Sequence, residues 1–166
     1  MKISGQLLAI AILYLTPLAS LPQDDVELYP KSSVKVDWVQ GTDFSKYHTY
    51  TLKTLSKVTP DQQQTAEGVV DATLQAKGLQ KVGMDASPSL IVVLKGGSRQ
   101  IYTLDSNGSP VKKGTLIVEL MDPKLEKAIW WGTAEDIFSD NPTKALHLLQ
   151  KKVSKMFEKY PPPADK

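Results

Sequence analysis

Lys113-Gly114-Thr115-Leu116-Ile117-Val118-Glu119-Leu120-Met121-Asp122, a polar Pro123-Lys124-Leu125-Glu126 segment, and then Lys127-Ala128-Ile129-Trp130-Trp131-Gly132-Thr133-Ala134 decide the architecture of this 166-residue chain. Two runs rich in β-branched and aromatic residues flank a short breaker, the pattern of an antiparallel hairpin. Side chains alternate along a strand, so Leu116, Val118 and Leu120 share one face and Thr115, Ile117 and Glu119 the other. If Trp130 faces the core with Ala128 and Ala134, alternation turns Trp131 outward with Ile129 and Thr133. The hairpin thus has a face that explains folding and a second face whose Ile117, Ile129 and Trp131 form an apolar strip.

Upstream, Leu90-Ile91-Val92-Val93-Leu94 is apolar on both faces and reads as a central strand. Gly96-Gly97 reads as a tight turn into a weaker partner strand, Arg99 to Leu104. The loop Asp105 to Pro110 follows, with Asn107-Gly108 suited to positive φ. Nearer the N-terminus, Val34, Val36 and Trp38 alternate with Lys35, Asp37 and Val39 as in a half-buried strand that ends at Gly41-Thr42-Asp43. The aromatic segment 43–52 then leads into a second strand, with Phe44 and Tyr50 the candidates for burial.

Thr59-Pro60-Asp61-Gln62 starts a helix by a known mechanism. Thr59 caps free amides, Pro60 suits the first helical position, Asp61 favours the positive end of the dipole, and Gln62 completes a capping box. The spacing predicts a helix over about 61–77, with Ala66, Val70 and Leu74 on its apolar stripe and Gly78 ending it. A second helix starts at Asn141-Pro142 and runs to about Glu158, with Leu146, Leu149, Val153, Met156 and Phe157 on one face. The order ββαββββα predicts an α+β fold: an antiparallel sheet of about five to six strands with two helices packed on one face. Residues 34–160 form the single domain of this reading.

Outside it, residues 1–20 read as an export signal. Lys2 gives the positive end, Leu7 to Leu15 the apolar run, and Thr16-Pro17 a break before Ala19 and Ser20. The run is shorter than the ~20 residues that span a bilayer, so no transmembrane segment is expected after cleavage, an uncleaved anchor being the alternative. Residues 21–33 read as a flexible tether, because they hold few apolar residues to offset ordering entropy. Residues 161–166 read as a disordered Pro-rich tail.

Composition narrows the chemistry. With 41% hydrophobic and 23% charged residues, the chain has an ordinary globular balance. A net charge of +2 gives no strong pull towards nucleic acid. There are no cysteines, which removes disulfides, thiolate nucleophiles, Cys-based metal sites and lipid attachment at a leader cysteine. His48 and His147 lie far apart with no metal-binding spacing, and no serine sits in a nucleophile-elbow motif. No metal or cofactor is expected.

Several of these segments together resemble the bacterial envelope proteins grouped as domain of unknown function 4136. The matching features are Val36-Asp37, the run from Asp43 to Tyr50, Leu90-Ile91-Val92, Gly114 to Asp122, and Trp130-Trp131-Gly132. The resemblance spans about residues 34–160 and implies an envelope location; many family members are lipoproteins with a cysteine after the leader. This chain lacks that cysteine, so it is expected in the periplasm or secreted rather than lipid-anchored. It also carries Trp131 where the family pattern often has a basic residue.

The function expected is that of a non-enzymatic binding or structural domain of the envelope, using its sheet face. The surface residues would be Ile117, Ile129 and Trp131, and the partner an envelope protein or an apolar ligand. The alternative is a periplasmic hydrolase or glycan-processing enzyme using the carboxylates of Glu119 and Asp136. No residue pattern specifies the oligomeric state.

Overall fold

A computed structural model describes residues 32–55, 57–104, 110–137, 139 and 141–162. The leader 1–20, almost all of the tether, the Asn107-Gly108 loop and residues 163–166 lie outside the described residues. Six strands form one sheet: β1 (Ser33–Trp38), β2 (Thr49–Thr54), β3 (Gln80–Lys81), β4 (Leu90–Leu104), β5 (Pro110–Asp122) and β6 (Lys127–Ile137). Helix α1 (Pro60–Ala76) lies between β2 and β3, and α2 (Pro142–Met156) follows β6. Their spatial order is β1-β6-β5-β4-β2-β3. This is the expected α+β fold, with both helices on one face of the sheet.

The sheet is mixed rather than purely antiparallel. β4, β5 and β6 form an antiparallel meander, and β1 closes one side by pairing antiparallel with β6. β2, however, runs parallel to both β4 and β3. The physical reason is the helix between them: a crossover of helical length returns the chain to the same end of the sheet, which a tight turn cannot do.

Gly96-Gly97 is not a turn. β4 continues through it, with Gly96 opposite Leu116 and Gly97 opposite Thr115 on β5. Gly97 keeps negative φ, unlike Gly41 at +75° and Gly78 at +87°, so it does not adopt the conformation a primed hairpin turn requires. β4 is instead still paired with β5 at Leu104, opposite Pro110.

Both helix starts form as their residues dictate. Thr59 accepts from the Gln62 amide while the Gln62 side chain returns to the Thr59 amide, and Asn141 Oδ1 accepts from the Lys144 amide at 3.0 Å. The core lies between the helices and the sheet. Val70 and Leu74 of α1, Val153 and Met156 of α2, and Tyr50, Leu90, Val92, Leu94, Val118, Leu120 and Trp130 of the strands are all buried. Val34, Val36 and Trp38 of β1 pack against them.

One end is sealed by aromatics. Trp130 stacks on Phe157 with centroids 4.7 Å apart and meets Tyr160 edge-on at 5.9 Å, while Phe44 meets Tyr160 at 5.8 Å. Tyr160 and Pro162 are buried, so the packed domain runs two residues past the expected boundary. Leu146, expected on the core face of α2, is instead 38% exposed.

Candidate functional site

The face of the sheet opposite the helices is set by β-register. Glu119 on β5 stands opposite Trp131 on β6, and Trp131 opposite Asp37 on β1. Ile117 pairs with Thr133, which is flanked in turn by Lys35. Trp131 is 36% exposed and Ile117 is partly exposed. These two residues therefore share the helix-free face as alternation predicts.

Ile129 does not join them. It is 3% exposed and belongs to the core cluster together with its neighbour Trp130. The cause is a β-bulge: Leu120 pairs with Trp130, but the next residue on β5, Met121, pairs with Ala128. Ile129 is the extra residue, and it breaks the period-two rule so that two consecutive side chains turn inward. The predicted three-residue strip is thus a pair, Ile117 and Trp131, with Ile129 beneath it in the core.

Charges on this face are paired across strands. Lys95 Nζ lies 2.6 Å from Glu119 Oε1, and Lys113 Nζ lies 2.7 Å from Glu135 Oε2. The Lys113 contact, the strongest influence on Glu135, holds that carboxyl below its ordinary range. Partly exposed pairs of this kind contribute little stability.

Glu119 and Asp136 do not form a catalytic pair. Glu119 sits on the helix-free face, whereas Asp136 lies on the helix side, opposite Gly114 and 2.8 Å from Lys152 Nζ. The sheet separates them, which removes the geometric basis for paired acid–base work. His48 and His147 are both exposed. Among the described residues no group of three or more His, Cys, Asp or Glu is placed to hold a metal ion, and no helix is long and apolar enough to cross a membrane.

Asp122, read from the sequence only as a turn starter, has a further role. It accepts from the amides of Lys124 and Leu125 at 2.8 and 3.2 Å, and also from the Tyr47 hydroxyl at 2.7 Å. Burial pushes its carboxyl up, but these hydrogen bonds outweigh burial and hold it below the ordinary range. It joins the β5–β6 turn to the β1–β2 connection and is a structural group.

A second concavity lies on the helix side, at the end of the sheet where the N-terminal turns of α1 and α2 come together. Sequence reasoning missed it because Gly96-Gly97 read as a turn. A signal was present: Gly96, Ser98, Gly114 and Ala134 fall at helix-facing strand positions where large residues are expected.

A mixed sheet with two helices on one face, its opposite face left uncovered among the described residues, is the class this structure defines. The chain belongs to the family described as Domain of unknown function (DUF4136), whose model matches residues 34–162. Among solved structures it is similar to a DUF4136 family protein from Bacteroides thetaiotaomicron, at 13% identity and a TM-score of 0.57, covering 82% of this chain and 100% of that one. It is also similar to the PelC dodecamer subunit from Paraburkholderia phytofirmans, at 14% identity and a TM-score of 0.54, covering 75% and 96%. A PDZ domain protein from Parabacteroides distasonis gives 15% identity and a TM-score of 0.58; the match covers 80% of this chain but 36% of that one. At these identities the likeness is one of fold. No curated protein sequence matches the chain.

Proposed function

We propose that this domain is an exported, non-enzymatic module of the cell envelope that binds a protein partner through the helix-free face of its sheet. The observation that carries the reading is Trp131, 36% exposed beside Ile117 on a face that no element of the described chain covers. Tryptophan is over-represented among residues that dominate interface energy, typically ringed by contacts that exclude water. Here Glu119, opposite Trp131 on β5 and paired with Lys95, and Asp37, opposite it on β1, supply polar neighbours on either side. Export is supported by the Lys2 and Leu7 to Leu15 pattern. A non-enzymatic role is supported by the separation of Glu119 from Asp136 on opposite faces of the sheet.

The partner to test first is a second copy of the chain, because PelC, a protein of the same fold, was solved as a dodecamer. Sedimentation velocity on the exported protein is expected to show a concentration-dependent oligomer that dissociates in Trp131→Glu, with little change in thermal midpoint. Crosslinking in intact cells with mass spectrometry extends the test to other envelope proteins. A monomer at all concentrations, together with no Trp131-dependent crosslink, overturns the reading.

A further inference from the structure

The helix-side concavity has a volume of about 500 Å³, within the usual range of small-molecule sites. Its floor is made by strand positions that carry almost no side chain: Gly96 and Ser98 on β4, Gly114 on β5 and Ala134 on β6. A layer of Leu or Val at those positions would fill the space, as Val92, Leu94, Val118 and Leu120 fill it further along the same strands. The walls are apolar: Leu94 and Leu116 from the sheet, Val58 and Ala66 at α1, Ala145 and Leu149 on α2. Leu146, displaced from the core face and 38% exposed, stands at the mouth.

Charge narrows the occupant. Lys152 is the one cation among the described lining residues, and it is already engaged. Its Nζ lies 2.8 Å from Asp136 Oδ2, bonds the Ser32 hydroxyl and reaches the Glu135 carbonyl at 3.4 Å. Glu135 is held by Lys113. At the helix starts the Gln62 and Lys144 amides are taken by the Thr59 and Asn141 caps, and Pro60 and Pro142 bring no N–H. An anionic head group brought inside would lose its hydration without gaining a counter-charge, and the Asp61 carboxylate in the lining disfavours it further. A hydrocarbon chain loses nothing there and removes the apolar walls from water.

We propose that this groove binds a neutral apolar chain, of the size and chemistry of an acyl or alkyl group. The site is separate from the Trp131 face, on the other side of the sheet. The side chains that accept the chain are those of the floor and walls; Gln62 and Thr65, polar lining residues that are exposed, leave an uncharged head in water.

The test uses the neutral fluorescent probe N-phenyl-1-naphthylamine, displaced by dodecanol, on the folded chain. Saturable binding at one site is expected, with dodecanol displacing the probe and ionised dodecanoate displacing it much more weakly. Ala66→Phe and Ala145→Phe, which place a ring in the groove from half-buried helical positions, should each weaken binding about tenfold or more. Trp131→Ala should leave it unchanged, which separates this site from the proposed partner face. In the unsubstituted protein, dodecanol should shift the amide resonances of Gly96, Gly114 and Ala145 ahead of those on β1 and β3. Absence of saturable binding, equal displacement by dodecanoate, resonance shifts centred elsewhere, or retention of binding in both ring variants overturns the proposal. A variant that no longer unfolds cooperatively is set aside in favour of the resonance measurement.

Discussion

Gly132 shows how a single residue position couples a family motif to packing. A Cβ placed there would lie 2.3 Å from Met156 Cγ, 2.5 Å from its Sδ and 2.9 Å from the Trp130 ring. α2 therefore rests directly on the β6 backbone, and the glycine after Trp130-Trp131 is what lets it approach. Met156 is buried and would have to shift within the core, so Gly132→Ala should cost about 1–3 kcal/mol by overpacking. Gly97→Ala is the control, because nothing lies within 4 Å of the added atom. Urea unfolding of the two variants checks this, and equal midpoints would contradict it. The contrast between Ile129 and Trp131 belongs to the same scale. Both were legible as strand residues, but which of them faces out depends on one extra residue in β6, and composition does not announce a bulge.

At the scale of elements, the helices were the easiest parts to read, because their termini are specified by neighbours in sequence. Asn141 accepts from Lys144 three residues away, and Pro142 needs no amide partner. Asn141→Ala should therefore destabilise the protein by about 1 kcal/mol, the ordinary cost of a lost cap. Chemical denaturation checks it, with Asn141→Ser or Asn141→Asp expected to restore most of the loss. Strands were read less well. Gly96-Gly97 has the composition of a turn, yet β5 offers hydrogen-bond partners on both sides of it, and fifteen residues of β4 run through. The two-residue β3 carries no alternation long enough to detect; it exists because Gln80 N bonds the His48 carbonyl at 2.8 Å and Val82 N bonds that of Tyr50 at 2.8 Å.

The whole molecule is closed by contacts between residues distant in sequence, and Asp122 is the clearest of them. Its bond to the Tyr47 hydroxyl spans 75 positions and ties the β5–β6 turn to the segment ahead of β2. Because folding lowers the Asp122 pKa, its contribution is fully present above the unfolded value of about 3.9 and is lost as pH falls through the folded value. Asp122→Asn should cost about 1–3 kcal/mol near neutrality, since a buried partner loses a charged acceptor. The deficit should shrink as the solution is acidified below about pH 4. Urea midpoints of the two proteins measured from neutral to acid pH check the sign; a deficit that grows on acidification would contradict it.

By itself the sequence determined the class of fold, the two helices with their caps, the hairpin, most of the buried residues and the outward direction of Ile117 and Trp131. These follow from periodicity and capping, which act over a few residues. Only the tertiary structure decided the parallel β2–β4 pairing, the β1–β6 edge, the bulge that buries Ile129, the separation of Glu119 from Asp136 and the groove floored by Gly96, Ser98, Gly114 and Ala134. Each depends on which strand lies beside which, and strand pairing is a long-range choice that no local segment carries.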